Sequence, residues 1–407
     1  MNKPLDALAL RPPADGEAAL ARLQPLFDRI EEGAAERERE RILPFAEVAL
    51  LREAGYGALR LPRPDDAGLT FRQLLKIVIR LAAADSNVAH IFRNHFSVNE
   101  IYVRRAREGQ GLRWQEAVAG GAIFGLGNIE LGSRSAGGVL PSTTLTPDGD
   151  GFRLDGTKYY TTGTLYADYM LVRAATPDER LASVIIPVAR EGIEIVDDWD
   201  GVGQRLTASG TGHFRNVRAE AAEVVFDADG IGYGLAYSNT LAQLYVTAIV
   251  AGIARAVLND ARRLLLGRSR TFYYATAERP AEDPLLLQVL GDLATDAFAA
   301  EAAVLAAAEA LDAVGAARDS GRDDESLAHE AALAAAKAKL IVDELAIRAG
   351  GRLFDLAGAS AASRARNLDR HWRNARTLAT HNPGVTKAAA IGAFEANGTK
   401  LPAKGFF

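Results

Sequence analysis

The chain has 407 residues, 24% of them charged, a net charge of −5 at pH 7 and no cysteine. That length exceeds the size at which one core usually stops growing, so two or three subdomains are expected, and the mild acidity argues against a basic nucleic-acid groove. Without cysteine, disulfides, thiolate nucleophiles, iron–sulfur clusters and thiolate zinc sites are excluded, so any redox chemistry must be borrowed from a bound cofactor.

The opening segment "MNKPLDALALRPPADGEAAL" has early acids and three prolines where a secretion signal would need an apolar run. No later stretch reaches the ~18 consecutive apolar residues of a transmembrane helix. The expectation is a cytoplasmic protein with no membrane or nucleic-acid partner. From residue 15 to 118 apolar residues recur every three or four positions, as in "TFRQLLKIVIRLAAADSNVAHIFRNHFSVNEIYVRR", which predicts helices. Thr70 is the expected N-cap of one of them, and Asp85 or Ser86 of the next.

From about Gly120 the texture changes to glycines, threonine runs and Asp-Gly pairs at 148–149, 150–151 and 155–156, all hairpin signals. "YMLVRAAT", "LASVIIPV", "GIEIVDDW" and "GTGHFRNVRAEAAEVV" add short strands, ending near Phe226. After "DADGIGYG" the helical period returns and runs nearly to the end, with alanine-rich stretches suited to close helix packing. The predicted organisation is mainly α with a central β-domain: a helical domain over 1–118, a β-domain over 119–228 and a helical bundle over 229–407.

Most familiar catalytic patterns are absent. "GAIFGLGNIELGSRSAGG" neither opens a helix as a dinucleotide-binding G-x-G-x-x-G would nor contains the Gly-Lys-Ser/Thr of a P-loop, and His90 and His95, five apart, do not share a helix face as a zinc pair would. What remains is a polar set in the β-domain, Asn128, Ser133, Thr161 and Thr162, whose hydroxyls and amides suit the edge of a planar heterocycle such as a flavin. Further on, "LDRHWRNARTLATHNPGVTK" places Arg370, Arg373 and Arg376 on one helix face, with no carboxylate between Asp369 and Glu395.

"FGLGNIELGSRSAG" followed by "LDGTKYYTTG" resembles the flavin-contacting strands of the acyl-CoA dehydrogenase superfamily. "NVRAEAAEVV" is similar to the strand that closes its β-domain, and "GRSRTFYY", "QVLGDLA" and "LFDLAGASAASRARNLDRHWRNART" resemble its C-terminal helices. The resemblance spans nearly the whole chain and implies an N-terminal helical domain, a β-barrel or sandwich domain and a C-terminal four-helix bundle. Within that superfamily, "NHF" around His95, "GN" at Asn128, "HWRNART" and "HNP" around His381 are similar to the flavin-dependent monooxygenases of the dibenzothiophene and sulfur-acquisition type.

That branch implies reduced FMN delivered by a separate reductase, a C4a-hydroperoxyflavin, and oxygen transfer to a small hydrophobic, sulfur-containing substrate. The resemblance assigns His95, Asn128, Thr162 and His381 to catalysis, and Asn128, Ser133, Thr161, Thr162, Arg270 and Arg376 to the flavin. By that resemblance Thr161 or Thr162 approaches flavin N5 and the C4a adduct, Asn128 lies near the same edge, and His95 and His381 face the distal oxygen and the substrate. It further implies a homotetramer, built in part through the terminal "NGTKLPAKGFF". FMN is favoured over FAD because the segment near "RLFDLAGASA", which receives the adenylate in dehydrogenases, is poor in glycine. An acyl-CoA dehydrogenase would need a carboxylate base where His381, Asn382 and Pro383 stand, or on the run that includes Leu244, which has no acid. Such a dehydrogenase with a relocated base, a nitrogen hydroxylase acting on an amine or amino sugar, and a non-catalytic helical scaffold are the alternatives.

Overall fold

A computed structural model describes residues 15–62, 68–107, 112–131, 140–227 and 236–403. The first helices are α1 (Gly16–Glu32), α2 (Ala34–Glu40), α3 (Phe45–Glu53) and α4 (Phe71–Ala84). Thr70 begins α4 with a reciprocal capping box: its hydroxyl accepts the Gln73 N–H while the Gln73 side chain accepts the Thr70 N–H. Asp85, rather than Ser86, caps α5 (Ser86–Ile91), accepting the N–H groups of Asn87 and Val88. A break at Phe92 leads into α6 (Arg93–Arg107), followed by α7 (Leu112–Ala119).

The central layer is one mixed sheet of β1 (Phe124–Gly127), β2 (Thr144–Asp148), β3 (Gly151–Lys158), β4 (Tyr169–Ala175), β5 (Leu181–Pro187), β6 (Ile193–Val196), β7 (Thr211–Glu220) and β8 (Val224–Phe226). Its order is β6-β7-β3-β2-β4-β5-β8, with β1 and β2 pairing parallel to β4 and the other pairs antiparallel. The first two Asp-Gly pairs form the β2–β3 hairpin, with Gly149 at φ +62°. The third, Asp155-Gly156, makes no turn. It sits inside β3, where the register against β7 shifts.

The last helices are α8 (Thr240–Leu266), α9 (Pro284–Asp319), α10 (Glu325–Arg352), α11 (Arg370–Ala379) and α12 (Gly384–Asn397). By length and composition α8 could cross a bilayer, but 94% of its most apolar window is buried within the protein. Leu23, Phe27, Leu74 and Val78 from the N-terminal helices share one core with Leu244, Ile249, Val304 and Val342 from the C-terminal ones. Gly252 makes the closest of these approaches possible, since a Cβ there would lie 2.5 Å from Ala82 Cβ. The two helical stretches therefore pack as one layer, with the alanines of α9 and α10 as close-packing positions, and α6 joins this layer to β1 of the sheet.

Part of the terminal segment is tied down within its own chain. The Leu401 N–H donates to His329 Nε2 (3.2 Å), the Tyr237 hydroxyl donates to the Leu401 carbonyl (2.9 Å), and the Tyr237 N–H donates to the Ala403 carbonyl (2.8 Å). Residues 401–403 thus find their partners within their own chain.

Candidate active site

Between the helical layer and the sheet lies a cavity of about 590 Å³. One wall is a polar stripe on otherwise buried helices, with His90 on α5 and Arg93, Asn94 and Ser97 on α6. These positions follow i, i+3, i+4, i+7, one face of a nearly continuous helix. Arg93 donates to the Ala242 carbonyl on α8 (3.2 Å) and to Asn94 Oδ1 (3.0 Å), and Asn94 Nδ2 donates to the Thr162 carbonyl (2.8 Å), so the stripe is tied to the bundle and to the sheet.

The sheet contributes Leu126 and Asn128 from the end of β1, and Tyr160 and Thr162 just after β3. The loop from β6 to β7 contributes Trp199, Gln204 and Ser209, with Gln204 and Ala208 in left-handed backbone conformations at φ +53° and +46°. Its fold is held from outside: Asn374 of α11 accepts the Gln204 N–H (2.6 Å), and Asn87 accepts that of Leu206 (3.2 Å). The third wall is the end of α11 and the start of α12, with His381, Asn382 and Lys387.

Of the expected residues, Asn128, Thr162 and His381 meet at this cavity. Thr161 does not: it is fully buried, and its hydroxyl donates to the Gly210 carbonyl (3.0 Å). His95 also stands outside. Its Nδ1 accepts the Phe124 N–H (3.2 Å), its Nε2 lies 2.9 Å from both the Gly57 carbonyl and Asn99 Nδ2, and it is packed against Phe92 and Phe96. A ring so fully engaged is a core fastener joining α6 to β1, and the cavity histidine of this segment is His90 instead.

Arg270 and Arg376 are exposed and do not line the cavity, and Ser133 lies outside the described residues. The other two arginines of the 368–387 segment are structural. Arg370 pairs with Asp260 of α8 (2.9 Å), and Arg373 pairs with the buried Glu38 of α2 (2.5 Å). The acids missing from the segment are supplied by other parts of the same chain.

No carboxylate lines the cavity among the described residues, whereas Arg93 and Lys387 do. Burial holds His90 down at about 3, reinforced by the Arg93 charge, so its imidazole is neutral. His381 is exposed to the cavity void yet ringed by protein, and the desolvation this brings, with Arg93, His90 and two lysines, holds it well below the usual histidine range. Lys387 is brought down to about 8 by burial and by Lys339, against the opposing pull of Asp343.

His90, Gln204, Ser209, Trp199, Arg93 and Lys387 were missed by sequence reasoning. The polar stripe at helical spacing was available to find His90 and Arg93. The loop residues had no such signal, because its left-handed turns bring Gln204 and Ser209 inward.

The sequence model of the family "Acyl-CoA dehydrogenase, C-terminal domain" matches residues 244–383. The chain is 30% identical over 100% of both lengths to a Pseudomonas putida protein named "Probable FMNH2-dependent monooxygenase SfnC". Its structure is similar to FMN-bound TdsC from Paenibacillus sp. A11-2, with a TM-score of 0.86 and 28% identity over 95% of this chain and 99% of that one. It is also similar to the methanesulfinate monooxygenase MsuC from Pseudomonas fluorescens, with a TM-score of 0.85 and 26% identity over 95% and 99%.

Proposed function

Since the chain belongs to the FMN-dependent monooxygenases of the acyl-CoA dehydrogenase superfamily, with FMN as its cofactor, we propose that it oxygenates a small sulfur compound using reduced FMN received from a separate reductase. The observation that carries this reading is the cavity lining, which holds neutral hydroxyls, amides and imidazoles plus two cations, and no carboxylate among the described residues. A dehydrogenase base is missing both at His381-Asn382-Pro383 and on the part of α8 that faces the cavity. The acid farther along α8, Asp260, is already engaged by His371 and Arg370.

The lining fits FMN. About 590 Å³ lies within the usual size of small-molecule sites and leaves room for a flavin ring with a small substrate. Trp199 and Tyr160 offer flat apolar surface, Thr162 and Asn128 offer hydrogen-bonding groups, and Arg93 and Lys387 supply the positive potential that an anionic reduced flavin needs. When bound, reduced FMN supplies the electrons that activate dioxygen.

The residues of this chain then do three things. Trp199 and Leu126 exclude water. Gln204 Nε2 donates to Ser86 Oγ (3.1 Å), which leaves Gln204 Oε1 to accept the proton on His90 Nδ1 (3.1 Å) and turns His90 Nε2 into the acceptor of that ring. The His381 ring, neutral and with no side-chain hydrogen bond to the described protein, is the second group able to hold or pass a proton in the cavity.

Two cations without an acid disfavour a protonated amine and favour a neutral or anionic sulfur centre, which sets sulfur oxygenation ahead of nitrogen hydroxylation. The test supplies photoreduced FMN and oxygen to the protein with sulfides, sulfoxides, sulfinates and amines, and measures oxygenated product by mass spectrometry. A sulfur compound gaining one oxygen is expected; turnover of amines alone would replace this reading with nitrogen hydroxylation. The intersubunit part of the reading places Arg270 against the flavin of an adjacent copy in a homotetramer.

A further inference from the structure

Behind Thr162 runs a line of hydroxyls whose protons can point only one way. Thr162 Oγ1 lies 2.7 Å from Ser209 Oγ, and Ser209 Oγ lies 2.7 Å from Thr207 Oγ1. Thr207 Oγ1 in turn is 2.9 Å from the Gln204 carbonyl. A carbonyl oxygen can only accept, so the Thr207 proton is spent on Gln204. Thr207 must then accept from Ser209, and Ser209, its own proton spent, must accept from Thr162. Each hydroxyl has one proton, so the direction of the whole chain is fixed by its last member.

That last member is well anchored. Thr207 is fully buried, and the Gln204 peptide is held by Asn374 while its side chain is held between His90 and Ser86. Thr162 and Ser209 are both at the cavity surface and nearly buried, 6% and 7% exposed. The Thr162 carbonyl is already taken by Asn94. What Thr162 offers the cavity is therefore hydroxyl lone pairs with no proton.

We propose that this three-hydroxyl chain fixes Thr162 as a hydrogen-bond acceptor toward the cavity, and that its polarity makes the site prefer reduced FMN over oxidised FMN. The inference rests on the flavin reading of the cavity, with the N5 edge against Thr162 as the resemblance implies. Oxidised isoalloxazine presents a bare lone pair at its central N5, whereas two-electron reduction places a hydrogen there. An acceptor facing that position pairs with N5–H and opposes the lone pair of the oxidised ring. Ser209 and Thr207 are positioning residues that act through Thr162.

The test is anaerobic titration of the full-length protein with oxidised FMN and with dithionite-reduced FMN, giving a ratio of dissociation constants. The wild type is expected to bind the reduced form more tightly. Ser209→Ala frees the Thr162 proton to turn toward the cavity, and Thr207→Val frees the Ser209 proton with the same result. Each is expected to cut the ratio about tenfold, chiefly by tightening the oxidised form, since a mismatched buried hydrogen bond costs on that order. Thr207→Ser keeps the hydroxyl on Gln204 and is expected to keep the wild-type ratio.

By linkage, the midpoint potential of the bound flavin should fall by about 30 mV for each tenfold loss of preference, a readout independent of turnover. A Ser209→Ala protein with wild-type circular dichroism and a ratio within about twofold of wild type would overturn the proposal. So would a wild type that binds both forms equally. If oxygenated product still forms while the Ser209→Ala ratio is unmoved, only the hydroxyl chain is wrong; a wild type that binds neither form of FMN defeats the flavin reading along with it.

Discussion

His381 follows α11 with its ring at the cavity, neutral and with no side-chain hydrogen bond to the described protein. His381→Ala should leave the FMN dissociation constant within about threefold, because the ring adds no charge, while oxygen transfer falls by about a hundredfold and hydrogen peroxide rises in its place. Product and peroxide measured in one reaction check this, and unchanged coupling would remove the role. Lys387 is the cavity group that titrates within the working range. Its neighbours are Lys339 and Asp343 on α10 and His381, and its pKa is lowered to about 8, so it is charged below that pH and loses its charge above it. Inhibition by a small sulfinate should therefore weaken by roughly tenfold between pH 7 and 9, the worth of one charged hydrogen bond. Lys387→Gln should bind weakly with no such slope, and Lys387→Arg should hold its affinity to pH 9; the same slope in Lys387→Gln would assign it to another group. His90 and His95 show what a sequence can and cannot reveal at this scale. Both lie in one helical run, and only the helical phase separates them: His90 shares a face with the polar Arg93, Asn94 and Ser97, while His95 turns back toward Phe92, Phe96 and Phe124.

Among the elements, α11 governs the site although only its last turn and the loop beyond it touch the cavity. Asn374 holds the Gln204 loop, and Arg373 fastens the helix to Glu38, which is 1% exposed and also bonded to Asn367. Burial pushes the Glu38 carboxyl up, but Arg373 and Asn367 outweigh it and the net shift is downward. A carboxylate so lowered contributes stability above its unfolded pKa, and that contribution is lost as pH falls through the folded value. Arg373→Met leaves Glu38 buried without its cation and should cost about 3–5 kcal/mol in thermal or urea unfolding, with the loss already shrinking between pH 7 and pH 4, because a buried carboxylate without its cation protonates above the ordinary carboxylate range. A Glu38→Gln, Arg373→Met double variant should recover part of it; a loss that is the same at pH 4 and pH 7 would show that the pair is not its source. The ends of elements were legible where a local side chain writes them, as at Thr70 with Gln73 and at Asp85. The acids that satisfy the arginines of α11 were not, because Glu38 and Asp260 lie far away in sequence and no local pattern announces such a pair.

At the scale of the molecule, the order of helices, sheet and helices was readable because the apolar period switches from near four to two and back. The shared core of the first and last helices was not readable, since either set alone has a plausible apolar face and only their contact in space joins Leu74 to Ile249. The assembly is a further step up. After α8 the chain exposes Arg270 with Phe272, Tyr273 and Tyr274, the Tyr274 ring against both of the others and the three 59%, 96% and 68% exposed. Three adjacent aromatics in water are unfavourable and fit a surface covered by another copy of the chain. Under the proposed intersubunit reading, Arg270, which does not line the cavity of its own chain, would reach the flavin phosphate of a neighbour. The two roles are separable. Tyr273→Ser with Tyr274→Ser should reduce the mass measured by light scattering and weaken FMN binding together. Arg270→Ala should leave the mass unchanged and weaken FMN by roughly tenfold or more, the worth of a charged hydrogen bond to phosphate. Loss of FMN affinity in the tyrosine variant with the mass intact would place those rings at the flavin itself, and an Arg270→Ala protein that binds FMN as the wild type does would leave the phosphate to Arg93 and Lys387 within a single chain.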